Sequence, residues 1–489
     1  MLFNSVSFLI FFPIVVLVYF ILPKMVKNIW LLVASYYFYM CWRPEYALLI
    51  LFSTVTTYLA SIAIDKVQGK GQKKLMLLLS LLLNLSVLFL FKYYNFFTAN
   101  ISALLMNFGM TVSPPSFDLL LPVGISFYTF QALGYSIDVY RGDVKREKNF
   151  ITYALFVSFF PQLVAGPIER SKNLLPQFYD HKSFEYTRVK NGLVQMGWGF
   201  FKKMVIADGV SQIVNIVYNS PQRFSGVQLV IATVFFAFQI YCDFSGYSDI
   251  AIGAANVLGF DLMRNFAHPY FAKNPTEFWR RWHISLSSWF MDYLYIPLGG
   301  SKKGYARTLL NLFITFLVSG LWHGAQWTFV IWGALNGIYV IFTRVLTPLI
   351  KAFQTKAHIK SDGILANIFG VVTTFLLVDF SWIFFRANTV ADAQYVITNL
   401  FKGLLTTLQN PVFLNTQLIQ IGFFSKNGDA MILCIIFMLL CELYERNSQL
   451  VDKVQHLHPI FRWIFYYGII LLILFYGNFG KSPFVYFDF

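Results

Sequence analysis

Residues 309–346 have the sequence LLNLFITFLVSGLWHGAQWTFVIWGALNGIYVIFTRVL, in which two apolar runs flank a short segment that carries His323. The runs cover residues 309–319 and 326–346, and a helix needs about 20 apolar residues to cross a bilayer. Similar runs recur along the chain, from residues 2–22 to residues 461–479. This pattern predicts an all-α polytopic membrane protein.

The composition of the whole chain supports the same prediction. Hydrophobic residues make up 57% of the 489 residues and charged residues only 12%, whereas a soluble protein carries roughly 25% charged residues. The net charge of +15 (38 basic minus 23 acidic residues) comes from short basic runs between apolar segments. Such runs are typical of cytoplasmic loops. A soluble enzyme is therefore excluded, and we expect no nucleic-acid partner.

The basic runs also predict the topology. Clusters at residues 24–27, 66–74 and 141–148 fall on alternate loops, so we expect these loops in the cytoplasm and the N-terminus outside. The tail 480–489 is predicted to be extracytoplasmic as well. Glycine and proline interrupt the apolar runs between about 120 and 335, which predicts re-entrant or broken helices around a cavity. We expect one integral domain over 1–489, with its functional core at about 120–345.

Ionisable side chains in apolar surroundings are candidates for function. His323 lies between Gly320 and Gly324, which leave room for close approach of a backbone or a ligand. A neutral imidazole in a dry cavity can act as a general base towards a hydroxyl. The alternative is a core histidine bonded to a backbone carbonyl, and local sequence does not decide between the two.

The segment 278–287, FWRRWHISLS, carries Arg281 and His283 among aromatic residues. Such a segment either anchors at the membrane interface or binds a polyanionic cofactor from the cytosol.

His268 is expected to be structural. Asp243 and Asp249 lie in an apolar run and could relay protons in a transporter; we favour their capping a broken helix. Neither a phosphate-binding loop nor a metal-ligand spacing is present in the sequence.

Two motifs together resemble the membrane-bound O-acyltransferase family. They are residues 279–300, WRRWHISLSSWFMDYLYIPLGG, and residues 319–324, SGLWHG; residues 122–130, PVGISFYTF, and 160–168, FPQLVAGPI, also match. The sequence is most similar to the bacterial alginate O-acetyltransferase branch. The resemblance implies roughly 11–13 transmembrane or re-entrant helices around a central tunnel. It also implies that His323 is the catalytic histidine and that His283 is a second functional histidine lining the tunnel.

The resemblance further implies a donor, an acceptor and a location. In the family, acetyl groups pass from cytosolic acetyl-CoA to an extracytoplasmic polysaccharide, usually with a partner protein on the outer side of the bacterial cell membrane. We expect Arg281, Lys302 and Lys303 to lie near the phosphates of acetyl-CoA. Tyr486, in the aromatic tail, could accept the acetyl group transiently or simply anchor at the headgroup level.

The sequence is also compatible with other functions. The same chemistry could serve peptidoglycan or another cell-wall glycan. A teichoic-acid D-alanyl transferase is less favoured, because residues 241–246, YCDFSG, look like the acetyl branch. A proton-coupled transporter would use Asp243, Asp249, His283 and His323 as a relay, but it predicts inverted repeats, which are not visible.

Overall fold

The computed structural model describes residues 1–111, 114–117, 121–164, 166–356, 363–445 and 450–479. This part of the chain is built from helices and contains no β-strand. The α-helices, in chain order, are α1 (Val6–Ile21), α2 (Lys24–Met40), α3 (Ala47–Lys66), α4 (Lys70–Leu88), α5 (Tyr94–Met106), α6 (Ile125–Arg141), α7 (Phe150–Ser158), α8 (Phe160–Leu163), α9 (Ser171–Gln177), α10 (Tyr186–Phe200), α11 (Asp208–Tyr218), α12 (Val227–Val257), α13 (Pro275–Arg281), α14 (Ile284–Phe290), α15 (Tyr305–His323), α16 (Trp327–Lys356), α17 (Ile364–Arg386), α18 (Val390–Asn399), α19 (Leu404–Gln409), α20 (Pro411–Gln420), α21 (Gly428–Glu445), α22 (Leu450–Gln455) and α23 (Pro459–Tyr476).

Short irregular helices join several of these. The 3₁₀ turns are Pro44–Tyr46, Pro221–Arg223 and Pro269–Phe271, and the π-helical segments are Phe89–Tyr93, Phe201–Ala207 and Met291–Tyr295. The first π segment connects α4 to α5 and the second connects α10 to α11. A π-helical turn widens a helix locally and occurs often at functional sites.

Seven helical segments within the described residues are long and apolar enough to cross a membrane. They are Pro44–Lys66, Lys70–Met106, Val227–Val257, Tyr305–His323, Trp327–Leu349, Ile364–Arg386 and Pro459–Tyr476. Val6–Ile21 and Phe150–Leu163 are shorter apolar helices. The sequence-based estimate of 11–13 included re-entrant and interrupted segments, which accounts for the larger number. A multi-pass, all-α membrane architecture is confirmed.

Short helices occur where capping residues and proline interrupt the apolar pattern. The Asn149 side chain accepts hydrogen bonds from the backbone N–H groups of Ile151 and Thr152, which starts α7. Asn274 caps α13 in the same way and is followed by Pro275 at the first helical position. Asparagine before the first turn and proline within it favour helix initiation. The region 150–177 and the region 275–295 therefore consist of short helices, as the sequence predicts.

The favoured role of Asp243 and Asp249, capping a broken helix, is wrong. Both lie inside α12, which runs unbroken for 31 residues. Asp249 forms an ion pair with Lys202, and Asp243 Oδ1 lies 2.6 Å from Lys203 Nζ. The π-helical segment Phe201–Ala207 supplies both lysines. Paired carboxylates of this kind are tolerated inside a buried helix, so no break is needed.

Close contacts divide the chain into two compact units. Unit one comprises residues 1–196 and 250–263, and unit two comprises residues 197–249 and 264–479 within the described ranges. Unit one has an aromatic core in which the Phe160 ring lies 5.4 Å from Phe11 and 5.7 Å from Phe38. Unit two contains a cluster of buried tryptophans, with Trp382 5.1 Å from Trp282 and 5.7 Å from Trp332. The candidate site lies in unit two.

Candidate active site

His323 is the last residue of α15 and is buried. The centroid of its ring lies 4.9 Å from the ring centroid of Trp322, 4.9 Å from that of Trp332 and 5.4 Å from that of Phe385, each in an edge-on arrangement. The helix ends here because Gly324 adopts an extended conformation. The imidazole is therefore held in an apolar, aromatic-lined pocket at the end of a membrane-spanning helix.

The glycines beside His323 let the two neighbouring helices approach closely. A Cβ on Gly320 would lie 2.3 Å from the Phe329 carbonyl oxygen of α16, and a Cβ on Gly333 would lie 2.5 Å from the Phe316 carbonyl oxygen of α15. At Gly324 a Cβ would meet the Phe329 ring at 2.2 Å. The space expected around His323 is thus filled by the backbone and the phenyl ring of α16. Close packing of α15 against α16 fixes the position of the histidine.

His283 lies between α13 and α14 in an unusual backbone conformation. Its φ is +43°, one of three positive values at non-glycine residues in the described chain. The ring is 1% exposed and lies 4.5 Å from Phe244 and 6.1 Å from Trp322. Burial lowers the pKa of His283 to about 3. Its imidazole is therefore neutral near pH 7.

The structure brings the two predicted histidines to the same tryptophan. The Trp322 ring contacts His323 at 4.9 Å and His283 at 6.1 Å. Two imidazoles in water-poor surroundings can accept or donate a proton at a reacting hydroxyl, with little competition from solvent. This pairing joins α15 to the segment between α13 and α14, which are separate in the sequence.

A cavity of about 570 Å³ lies between α13, α14, α15 and α16, and neither histidine is among its lining residues. Ser319, one helical turn before His323, lines it, and so does Trp279, whose ring lies 5.7 Å from Trp332. The buried Trp279 indole N–H has no hydrogen-bond acceptor among the described residues. Arg280 and Arg344 also line the cavity, and neither forms a salt bridge within the described chain. We call this space the α13–α16 cavity.

The cavity can hold an elongated ligand with an anionic end. Its remaining wall is mostly apolar, with hydroxyl groups from several threonines and serines. Two guanidinium groups without a carboxylate partner in the described part of the chain are suited to phosphate, which they can bind through paired hydrogen bonds.

Arg281, Lys302 and Lys303, which the sequence predicts to bind phosphate, lie outside the wall of the α13–α16 cavity. Arg281 Nη2 is 2.5 Å from Glu277 Oε1, one helical turn earlier, so its charge is already paired. Lys302 and Lys303 are exposed in the turn before α15. His323 is at the opposite end of that helix, about 27 Å away at 1.5 Å per residue. None of the three lines the α13–α16 cavity. Tyr486 and the tail 480–489 lie outside the described residues.

Arg344 was not predicted as a site residue, although the sequence contains an indication of its importance. It is a basic residue within the apolar run 326–346, and a charge in such a run is a candidate for function. Trp279 gave no such clue, because an aromatic residue in an apolar segment is ordinary. Only the fold brings Trp279 of α13 and Arg344 of α16 to one cavity.

Comparison with known proteins is consistent with this geometry. The model of the membrane-bound O-acyltransferase family matches residues 144–385, which include both histidines and the whole α13–α16 cavity. A probable alginate O-acetylase of Pseudomonas aeruginosa is 39% identical over 405 residues, covering 82% of this chain and 75% of the relative. A peptidoglycan O-acetyltransferase of Helicobacter pylori is 34% identical, covering 100% of this chain and 98% of the relative. A teichoic acid D-alanyltransferase of Bacillus subtilis is 26% identical, covering 56% of this chain and 71% of the relative.

Proposed function

The chain belongs to the membrane-bound O-acyltransferase family, and from this premise we propose that it transfers acetyl groups from cytosolic acetyl-CoA towards an extracytoplasmic, alginate-like polysaccharide. The observation that carries the proposal is the meeting of His323 and His283 on Trp322, beside a cavity with two arginines. O-acyl transfer itself follows from the family. The acetyl donor, the acceptor and the roles of the individual residues are what we propose.

The α13–α16 cavity is the proposed site for the acetyl-CoA arm. Arg280 and Arg344 would contact phosphate, and the hydroxyl and indole groups of the wall would contact the amide-bearing arm. Ser319, which lines the cavity, lies one helical turn before His323 in α15. Arg281, Lys302 and Lys303 remain candidates for the outer part of the phosphate contact, since they lie in the segments on either side of α14.

The proposed reaction neither consumes nor releases a proton overall. An acceptor hydroxyl oxygen attacks the thioester carbonyl carbon, an ester bond forms, and the carbon–sulfur bond breaks. His323 takes the hydroxyl proton and returns a proton to the departing thiolate. His283, neutral because of its burial, would line the path and hydrogen-bond the reacting group. The aromatic surroundings reduce competing hydrolysis by water.

The acceptor is proposed to be reached through an outer partner protein. Tyr486, in a tail predicted to be extracytoplasmic, would hold the acetyl group briefly before passing it to that partner. A peptidoglycan acceptor is the second candidate, because the peptidoglycan O-acetyltransferase aligns with the full chain. A proton-coupled transporter is not supported, since the family is one of acyltransferases.

The first test measures CoA release and acetyl transfer by purified protein in nanodiscs supplied with labelled acetyl-CoA. We expect His323→Ala to lose at least about 100-fold in rate, as is usual when a general base is removed. His456→Ala is the matched control, because His456 is exposed, and it should retain full rate. Equal rates for wild type and His323→Ala would refute the assigned mechanism.

The acceptor is tested in the same system. Alginate oligosaccharides and peptidoglycan fragments are offered separately, each with and without a membrane extract that supplies outer partner proteins. Label on alginate supports the proposal, and label on peptidoglycan supports the second candidate. Tyr486→Phe should lower both transfer to polysaccharide and His323-dependent release of CoA, because it removes the hydroxyl that would first accept the acetyl group; unchanged transfer would exclude the relay.

A further inference from the structure

Residues 264–268, which we call the clamp loop, run beside the segment that carries His283. The Ala267 N–H donates to the Arg281 carbonyl oxygen at 2.9 Å, and the Ile284 N–H donates to the Asn265 carbonyl oxygen at 2.9 Å. These two hydrogen bonds lie on either side of Trp282 and His283. The clamp loop therefore holds the backbone at both ends of the histidine-bearing turn.

The Asn265 side chain connects this turn to α12. Its Oδ1 accepts hydrogen bonds from Ser285 Oγ at 2.6 Å and from the Ser285 N–H at 3.4 Å, and its Nδ2 donates to Ser248 Oγ at 3.1 Å. Asn265 has no exposed surface. A buried amide with both ends bonded ties one element to another at a fixed distance, since losing either bond would leave a buried polar group unsatisfied.

His283 needs such support. A side chain with a Cβ is disfavoured in the left-handed region, and such backbone persists only where its surroundings over-determine it. The next residue of the clamp loop, Phe266, packs 5.1 Å from Trp282 and 5.0 Å from Phe244. Phe244 is also the ring that lies 4.5 Å from His283. Both the hydrogen bonds and the packing of the clamp loop thus converge on His283.

Both ends of the clamp loop are anchored to α21 by charge. His268 Nε2 lies 3.0 Å from Glu445 Oε2, and His268 Nδ1 lies 3.7 Å from Glu442 Oε2. Arg264 Nη2 lies 3.6 Å from the same Glu445 carboxylate. The clamp loop is therefore fixed to α12 by Asn265 and to α21 by His268 and Arg264.

We propose that Asn265 is a positioning residue for acyl transfer, which holds the His283 imidazole against Trp322 by clamping its backbone turn to α12. This inference rests on the proposed function only for its kinetic consequence. Small displacements of a group at a reaction centre can lower a rate about 100-fold. Asn265 itself is not among the residues that line the α13–α16 cavity.

The test compares Asn265→Ala with wild type in nanodiscs by two independent measurements. The first is kcat and donor KM for acetyl transfer, together with donor Kd from binding of a non-reactive acetyl-CoA analogue. We expect kcat per folded molecule to fall about 10- to 100-fold, with Kd within twofold of wild type. The second is the rate at which diethyl pyrocarbonate modifies His283, followed by peptide mass spectrometry. We expect modification at least tenfold faster in Asn265→Ala.

A matched control separates positioning from a general loss of stability. Asn84 is also buried, and its side chain makes hydrogen bonds with Ser53, Thr56 and Ser80 in unit one. Asn84→Ala should lower the melting temperature without changing kcat per folded molecule or the modification of His283. If Asn265→Ala does not fold, Ser248→Ala removes only the link to α12. That variant should lose about three- to tenfold in kcat and expose His283 partially.

The outcomes are distinct. Unchanged kcat and unchanged His283 modification in Asn265→Ala, or in Ser248→Ala where only that variant folds, overturn the inference. Faster modification with unchanged kcat overturns the kinetic consequence. Faster modification together with no acetyl transfer by wild type, even when glycan acceptors and the membrane extract are supplied, overturns the proposed function, while the positional role of Asn265 stands.

Discussion

His283 and His268 lie at opposite ends of the same backbone pairing, yet their imidazoles differ in their preference for a proton. Burial alone lowers the pKa of His283 to about 3. Burial also opposes protonation of His268, but hydrogen bonds and charges from Glu442 and Glu445 outweigh it and raise the pKa of His268 to about 9. A neutral histidine suits proton transfer, whereas a charged one suits an ionic anchor. The carboxylates of Glu442 and Glu445, which lie beside His268, account for the difference between the pKa values of the two histidines.

The His268 anchor predicts a pH-dependent contribution to stability. Because the folded pKa of about 9 exceeds the unfolded value of about 6.5, the contribution is complete below pH 6.5 and is lost as pH rises through 9. We expect His268→Gln to lower the melting temperature by a few degrees at pH 6, equivalent to the order of 1 kcal/mol after solvent screening. The difference should vanish by pH 10. A difference that grows with pH, or an equal effect of the exposed His456→Gln, would contradict this.

The buried pair of Asp243 and Lys203 predicts a larger effect than an exposed pair. Both side chains are 1% exposed, whereas Arg146 and Asp65 form an ion pair at 23% and 54% exposure. Removing one partner of a buried pair leaves an uncompensated charge, which costs about 3–5 kcal/mol. An exposed pair contributes about 0–1 kcal/mol. Lys203 Nζ also lies 2.8 Å from Asp208 Oδ1, so loss of the lysine leaves two buried carboxylates without their cation. We therefore expect Lys203→Met to lower the melting temperature strongly and Asp65→Asn to change it little, as measured by thermal unfolding in detergent.

At the scale of helices, glycine spacing determines where α15 and α16 meet. Gly320 and Gly333 face each other with too little space for a Cβ on either. Small residues let membrane helices pack closely, since lipid supplies no hydrophobic force between them. The crossing lies one turn from His323, so the same contact that joins the helices also fixes the catalytic candidate.

A large residue at this crossing should separate the helices. We expect Gly320→Leu to reduce the yield of folded protein and to lower acetyl transfer by the remaining molecules at least about tenfold, because overpacking shifts the backbone. Gly468→Leu on α23 is the matched control, since among the described residues no atom outside the backbone of its own helix lies within 4 Å of a Cβ there. It should leave yield and transfer unchanged. Size-exclusion profiles and the acetyl-CoA assay measure both, and equal behaviour of the two variants would exclude a special role for the crossing.

At the scale of the whole molecule, burial separates an inner helix from an outer one. In the most apolar window of α12, 83% of the residues are buried within the protein, compared with 6% in α23. Both windows are apolar, but α23 has most of its side chains facing outward, where lipid covers them. The two segments have the same mean hydropathy. Hydropathy therefore predicts a membrane span for each, but it does not show which helix is buried within the protein and which faces lipid.

The predicted orientation can be tested with single cysteines. Cys41 is exposed after α2, on a loop that the basic runs place outside, whereas Gln68 lies between α3 and α4 on a loop that they place inside. We expect an impermeant maleimide to label Cys41 in intact cells. Gln68→Cys, in a Cys41→Ala background, should be labelled only after permeabilisation. The reverse pattern would invert the topology.

The sequence by itself determined the membrane class and the family and predicted the two histidines, because each depends on local composition or on a short motif. Apolar runs predict spans wherever they occur, and the segments WRRWHIS and SGLWHG identify His283 and His323. The same local argument failed for Asp243, because its partner Lys203 is 40 residues away along the chain and pairs with it only when α12 packs against the π-helical segment.

Tertiary structure alone decided the composition of the site. It joined Arg280 to Arg344 across one cavity, paired Arg281 with Glu277, and placed Asn265 between Ser248 and Ser285. An asparagine in a loop that links two helices carries no hydropathic or motif signature. The physical reason is that hydrophobicity is a sum over neighbours in sequence, whereas a buried hydrogen bond or ion pair depends on which distant segments the packing brings within about 3 Å of each other.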